Sequence, residues 1–255
     1  MQKYFRFVVS ITFFVFFSIN EALSFTYPQH VQAIIENKNV SSQELINTLH
    51  VFVSETHQEL NYSQARKIMF GDLFLEKKGE NKYFVKDVYC NKIIDETAGV
   101  GPDRIPNPEI LNCEHTWPQS KFSKRFPSEL QKSDLHHLFP SDMKANSTRN
   151  NYPFAEVNGR PTNSTCQDSA IGNSREGGVY SFEPPMEHRG NVARAMVYFS
   201  VRYEMPIDEV QKKYFVKWNL EDPVDQEEII RQEKIMAIQG NRNPFIDHPE
   251  LLQRL

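Results

Sequence analysis

The chain has 255 residues, 39% of them hydrophobic and 12% aromatic, which is enough to bury one substantial core. Its 29 basic and 33 acidic residues leave a formal charge of -4. A general cationic coat for nucleic acid is thereby excluded, so any polyanion site has to be local, built from a patch of cations or from a metal ion that reverses the sign at one point.

In chain order, residues 1–24 read as a signal peptide. Lys3 and Arg6 precede the apolar run "FVVSITFFVFFSI", which is short for a membrane span, and Ala22-Leu23-Ser24 offers a small-x-small cleavage site. The mature chain, 25–255, then begins near Phe25, carries a charge of about -5 by the same counting, and keeps no stable membrane association. Export to the periplasm or beyond it permits a disulfide. The three cysteines, Cys90, Cys113 and Cys166, allow one bridge in any of three pairings and leave one thiol over.

The first mature element is a helix. Ser41 and Glu44 stand at capping-box spacing, and Leu45, Leu49 and Phe52 follow as one stripe. "DLFLEK" and "KYFVKDVY", separated by Gly-Glu-Asn, read as a hairpin, and "DETAGVGPDRIPNPEI" reads as a loop. After "NCEHTWPQS" comes a basic irregular stretch and then "DLHHLFP". Ser141 is expected to cap a short helix that carries Asn146 and stops near Tyr152-Pro153. The centre of the chain thus reads strand, loop, strand, helix. Residues 158–178 look like a long surface excursion. Val192, Met196, Phe199 and Tyr203 predict a buried helix, and Asp222-Pro223 with Asp225 announces a last one that ends at Gly240.

Glu114, His115 and Asn146 together could do phosphodiester chemistry. A neutral imidazole accepts a proton from water near pH 7. A carboxylate and an amide oxygen are hard ligands of the kind magnesium takes, while it keeps several of its waters. The bland reading is a surface glutamate beside a packed histidine. Asn146 also lies in an "NST" glycosylation sequon, as Asn163 does, and Asn39 and Asn61 stand in similar contexts.

Four ordered blocks, "CEHTWPQSKF", "SDLHHLFPSDMKANSTRNNYPF", "FEPPMEHRGNVARAMVYFSVRY" and "IQGNRNPFIDHPEL", resemble the endonuclease I family of periplasmic and secreted bacterial nucleases. The resemblance implies a single α+β domain in which a ββα-metal motif, at about residues 110–152, packs amid helices. It implies cleavage of DNA, and of RNA as well, by a monomer with little sequence preference. His115 falls at the general base and Glu114 at a metal ligand. Asn146 falls at the second ligand, with Asn151 as its nearest competitor. The expected ion is Mg2+, with Mn2+ or Ca2+ as substitutes. Asp134 and His136 are expected to brace the site, with Lys121, Lys124, Arg125 and Arg149 as candidate phosphate contacts. Because ideal strands point neighbours apart, a bend is expected at the Glu-His pair. Two rivals stand beside this reading: an exported nucleic-acid-binding protein without catalysis, and a zinc hydrolase built on His136 and His137.

Overall fold

A computed structural model describes residues 25–255, so the expected signal peptide lies outside the described residues. Three helices open it: α1 (Gln29–Glu36), α2 (Ser42–Glu55) and α3 (Tyr62–Ile68). In α2 the Ser41 side chain accepts from the Glu44 amide, and Leu45, Leu49 and Phe52 are buried, as the stripe required. Beyond α3 the expected hairpin is present but its first strand is shorter than the sequence suggests. Residues Met69–Leu73 form a π-helical turn, which takes the first two residues, Asp72 and Leu73, of the expected "DLFLEK" strand. Only β1 (Glu76–Lys77), β2 (Tyr83–Lys86) and β3 (Ile93–Asp95) are extended here, as an antiparallel sheet in that order.

The central unit follows the expected order. Strand β4 (Leu111–His115) pairs antiparallel with β5 (Leu138–Asp142), and α5 (Met143–Arg149) comes next. The connection between the strands carries a single 3-10 turn at Gln119–Lys121, α4 (Ser128–Lys132) and a second turn at Leu135–His137. The cap of α5 falls one residue later than expected. Ser141 stays buried in β5, and the Asp142 carboxylate accepts from the Ala145 amide at 3.0 Å. The helix stops at Arg149, where Asn150 takes a φ of 53°.

Residues 158–178 are not an excursion. They build most of a third antiparallel sheet from β6 (Val157–Asn163), β7 (Cys166–Ser174) and β8 (Tyr180–Glu183). The sequence hides it because β6 is an edge strand, largely exposed and carrying Pro161, so apolar alternation is missing. Gly159 and Gly172 face each other across the β6–β7 ladder, and a Cβ on Gly172 would sit 2.6 Å from the Gly159 Cα. These glycines mark a close backbone approach rather than a turn.

Four α-helices follow, α6 (Arg189–Arg202), α7 (Glu209–Glu221), α8 (Gln226–Gln239) and α9 (Pro244–Asp247), and a 3-10 stretch at Pro249–Arg254 completes the chain. Helix α6 is the buried helix predicted from its spacing. The start of α8 is Asp225, whose side chain accepts from the Glu228 amide at 2.8 Å; Asp222 closes α7 instead. Gly240 ends α8 with a φ of 83°. One apolar cluster centres on α2, α6 and α7, and another joins Met69, Leu111, Leu138 and Ile235. The β4–β5–α5 unit contributes to both, which fixes its place. Cys90 and Cys166 form the disulfide, and Cys113 is left as the free thiol.

Three histidines fill interior positions. Burial pushes His136 and His137 down to about 4 and His188 to about 3, so all three are neutral in the folded protein. Unfolding returns them to about 6.5, so between about pH 6.5 and 4 the unfolded chain binds more protons and stability rises with pH. Stability is therefore expected to fall by about 1 kcal/mol per pH unit for each of these histidines as pH drops through that window. Urea midpoints at pH 7 and pH 5 check this; equal midpoints would contradict it.

Candidate active site

Strand β4 carries Asn112, Cys113, Glu114 and His115 into the ladder without a register shift: Glu114 opposes Phe139 and His115 opposes Leu138. One step further, the Thr116 amide still donates to the His137 carbonyl at 3.0 Å. The ladder therefore has no bulge at the Glu-His pair, and the chain bends just beyond it, at Thr116 and Trp117. The two side chains meet different neighbours.

Glu114 is 2% exposed, and its Oε1 accepts from the Tyr89 hydroxyl at 2.9 Å. The same oxygen lies 3.4 Å from Arg149 Nη1. Burial raises the Glu114 carboxyl, while the Arg149 charge and the Tyr89 hydrogen bond oppose it. Arg149 is itself buried, and its guanidinium donates to the carbonyls of Thr116 at 2.5 Å, Asn150 at 3.1 Å and His115 at 3.4 Å. One cation thus ties the end of α5 to both halves of the Glu-His pair.

His115 is tied differently. A carbonyl oxygen can only accept, so the 3.0 Å contact between His115 Nε2 and the Lys132 carbonyl places the proton on Nε2. Nδ1 is then the basic nitrogen, and the Gln119 amide donates to it at 3.2 Å. Burial holds the ring well below the usual histidine range, with His137 adding to the effect, so the imidazole is neutral at pH 7. A neutral ring with one nitrogen tethered and the other available is the form a general base needs.

Asn146 stands over the same strand. Its amide nitrogen donates to Asn112 Oδ1 at 2.6 Å and to the Cys113 carbonyl at 3.4 Å, which leaves its oxygen for another partner. Asn151 has a different partner, donating to Ser120 Oγ at 3.3 Å. Among the described residues no group of three or more His, Cys, Asp or Glu side chains could hold a metal ion. A site of one carboxylate and one amide is a different kind of ligand set.

A family model for endonuclease I matches residues 41–250. The chain belongs to the endonuclease I family. An extracellular ribonuclease of Bacillus subtilis (strain 168) is 33% identical over 228 residues, covering 82% of this chain and 73% of that protein. An extracellular ribonuclease of Bacillus amyloliquefaciens is 38% identical over 54% of this chain and 51% of its own. A periplasmic deoxyribonuclease of Aeromonas hydrophila is 32% identical over 54% of this chain and 56% of its own. The chain thus spans about three quarters of the first relative and about half of the other two.

In this endonuclease, Asp134 is fully buried and accepts from Tyr198 at 3.0 Å, Tyr203 at 2.9 Å and Gln239 at 2.9 Å. His136 Nε2 donates to the Asn241 carbonyl at 3.2 Å, and His137 Nε2 to the Gln131 carbonyl at 2.7 Å. These residues fasten the start of β5 to α4, α6 and the end of α8, and the adjacent histidines have separate partners. Lys121, Lys124 and Arg125 are exposed, and Arg125 pairs with Glu204 at 2.9 Å. Burial and the nearby Arg149 lower the Lys121 ammonium. Sequence reading missed Tyr89, the hydroxyl on Glu114, and Gln119, the amide on His115. Tyr89 gave no local signal because its contact spans 25 residues. Gln119 lies four positions beyond His115 and was visible only as part of the family-like block.

Proposed function

We propose that the chain is an exported, metal-dependent endonuclease that hydrolyses DNA and RNA phosphodiester bonds without sequence preference, leaving 5′-phosphate and 3′-hydroxyl ends. The observation that carries this reading is the tethered His115: its Nε2 proton is held by the Lys132 carbonyl, which leaves Nδ1, the acceptor of the Gln119 amide, as the basic nitrogen, one residue along β4 from Glu114. The names of the relatives, extracellular ribonucleases and a periplasmic deoxyribonuclease, support both the substrate class and export. No helix among the described residues is long and apolar enough to cross a membrane.

Glu114 and Asn146 would hold the ion, Mg2+ in the first instance, with Mn2+ or Ca2+ able to replace it. The donor chemistry fits. The hydrogen bonds to Glu114 fall on Oε1, and Asn146 has already turned its nitrogen toward β4, so one oxygen on each side chain is available to a hard cation. When bound, the ion supplies positive charge against the scissile phosphate and the departing 3′ oxygen. The chain does the rest. His115 Nδ1 receives the proton of the attacking water, and Gln119, now donating to that nitrogen, must yield the place. Arg149 and Tyr89 hold the Glu114 carboxylate in position. Asp134 and His136 brace β5 through α6 and residues 239–241. Lys121 and Lys124, exposed in the connection between β4 and β5, are candidate phosphate contacts.

Incubating the mature protein with plasmid and with RNA, with and without chelator, tests the reading. Cutting is expected with Mg2+ and should vanish in excess chelator; persistent cutting would overturn the metal role. Asn146→Ala should weaken metal binding about tenfold or more in a calorimetric titration, while Asn146→Asp keeps an oxygen ligand and part of the affinity. Equal loss from Asn151→Ala would move the ligand to that residue. A protein that binds DNA yet never cuts it, with any divalent cation, is the noncatalytic alternative.

A further inference from the structure

The half-buried Tyr62, at the start of α3, brings together groups that lie far apart in sequence. Its ring centroid is 5.5 Å from that of His115. Arg66 lies over the same ring at 4.7 Å, and the Lys132 ammonium at 4.3 Å. Lys132 is also the residue whose carbonyl tethers His115. Two positive charges are therefore gathered on one aromatic platform beside the general base, in a chain whose overall charge is -4.

Neither charge has a close, buried ionic partner among the described residues. Arg66 makes no ion pair among the described residues, and its Nε is buried without a hydrogen-bond partner. Lys132 has Glu129 at 3.7 Å, an i,i+3 neighbour whose own side chain is 60% exposed, a contact too loose and wet to neutralise it. Cations held over an aromatic ring gain from its electron-rich face. Such stacking fixes their position without consuming their donors: a guanidinium keeps its N–H fork and an ammonium its three protons. A backbone phosphate is an anion that accepts from both guanidinium and ammonium donors.

We propose that Arg66 and Lys132, positioned by Tyr62, form a subsite for the backbone phosphate next to the one cut. The proposal rests on the nuclease reading of His115 and extends it to two helices that sequence reading did not connect with the site. The cluster serves single and double strands alike, because it meets the backbone and no base edge. It also gives the negatively charged chain the local cationic patch that its composition demanded.

The test compares the full-length mature protein with its Arg66→Gln, Lys132→Gln and Tyr62→Leu variants, using Lys67→Gln, an exposed neighbour on α3, as the control. On an oligonucleotide with Mg2+, each of the first three should raise KM by about tenfold with kcat within a few-fold of the parent, since a phosphate contact outside the reacting bond contributes binding. Lys132→Arg should restore most of the loss. Binding, measured in a His115→Ala background so that the strand stays intact, should lose about one unit of its log-log salt slope for each cation removed. A wild-type salt slope and KM in Arg66→Gln and Lys132→Gln would overturn the subsite. So would a fall in kcat at constant KM, which would mean that the cluster only orients His115. If the parent cuts neither DNA nor RNA, the nuclease reading fails, and the salt slope still decides whether these residues meet phosphate.

Discussion

His115→Ala is expected to lower kcat by about a thousandfold or more, the range found when a general base is removed, while binding of metal and of DNA stays close to that of the parent. The argument is geometric. His115 donates Nε2–H to the Lys132 carbonyl at 3.0 Å and presents Nδ1 to the Gln119 amide at 3.2 Å, so no nitrogen is assigned to an ion. Removing the ring deletes the proton acceptor and leaves Glu114, with its Tyr89 and Arg149 partners, in place. The pH profile carries the same assignment. Because burial holds His115 well below the ordinary histidine range, the acid limb of kcat should lie below pH 6.5. A variant that loses metal affinity along with turnover would make His115 a ligand and shift the proton transfer to another group.

Much of this site was legible in the sequence because its parts are local. Five residues of β4, a polar connection, five residues of β5 and a short helix give the strand-loop-strand-helix order directly, and the apolar stripes of α2 and α6 announce themselves by spacing. What escaped notice depends on distance or on backbone geometry. The Cys90–Cys166 bridge spans 76 residues, and no local feature favours that pair over the other two. The β6–β8 sheet has one wet face and a glycine-to-glycine approach, so it lacks the alternation that marks a strand. Helix α7 was unseen because its buried residues Tyr214, Phe215 and Trp218 are interleaved with lysines and glutamates.

Tyr89 shows how these long-range features reach the chemistry. It lies in the turn between β2 and β3, next to Cys90, and that turn is held by the Asp87 carboxylate, which accepts from the amides of Tyr89, Cys90 and Asp142. The Asp142 amide belongs to the residue that caps α5. One buried aspartate therefore sets the Glu114 partner and the start of the Asn146 helix in a common frame, and the disulfide closes that frame against β7. Precision at the Glu114 oxygen is the product of this cross-linking rather than of β4 alone.

Arg149→Met is expected to cost about 3–5 kcal/mol of stability, the range for breaking a buried ion pair by removing one partner. Both side chains of the pair are 2% exposed, so Glu114 would be left charged in the interior with only the Tyr89 hydroxyl as partner. The carbonyls of His115 and Thr116, at the end of β4, would lose a donor at the same time. Arg149→Lys should rescue little, because one ammonium cannot span Glu114 and the Thr116 and Asn150 carbonyls as a planar fork does. Adding Glu114→Gln to Arg149→Met removes the stranded charge and should recover part of the stability but none of the activity. Urea unfolding of the two single variants and the double variant measures the coupling. The opposite pattern, full stability with a shallower salt slope for DNA binding, would make Arg149 the phosphate contact that its place in the sequence suggested.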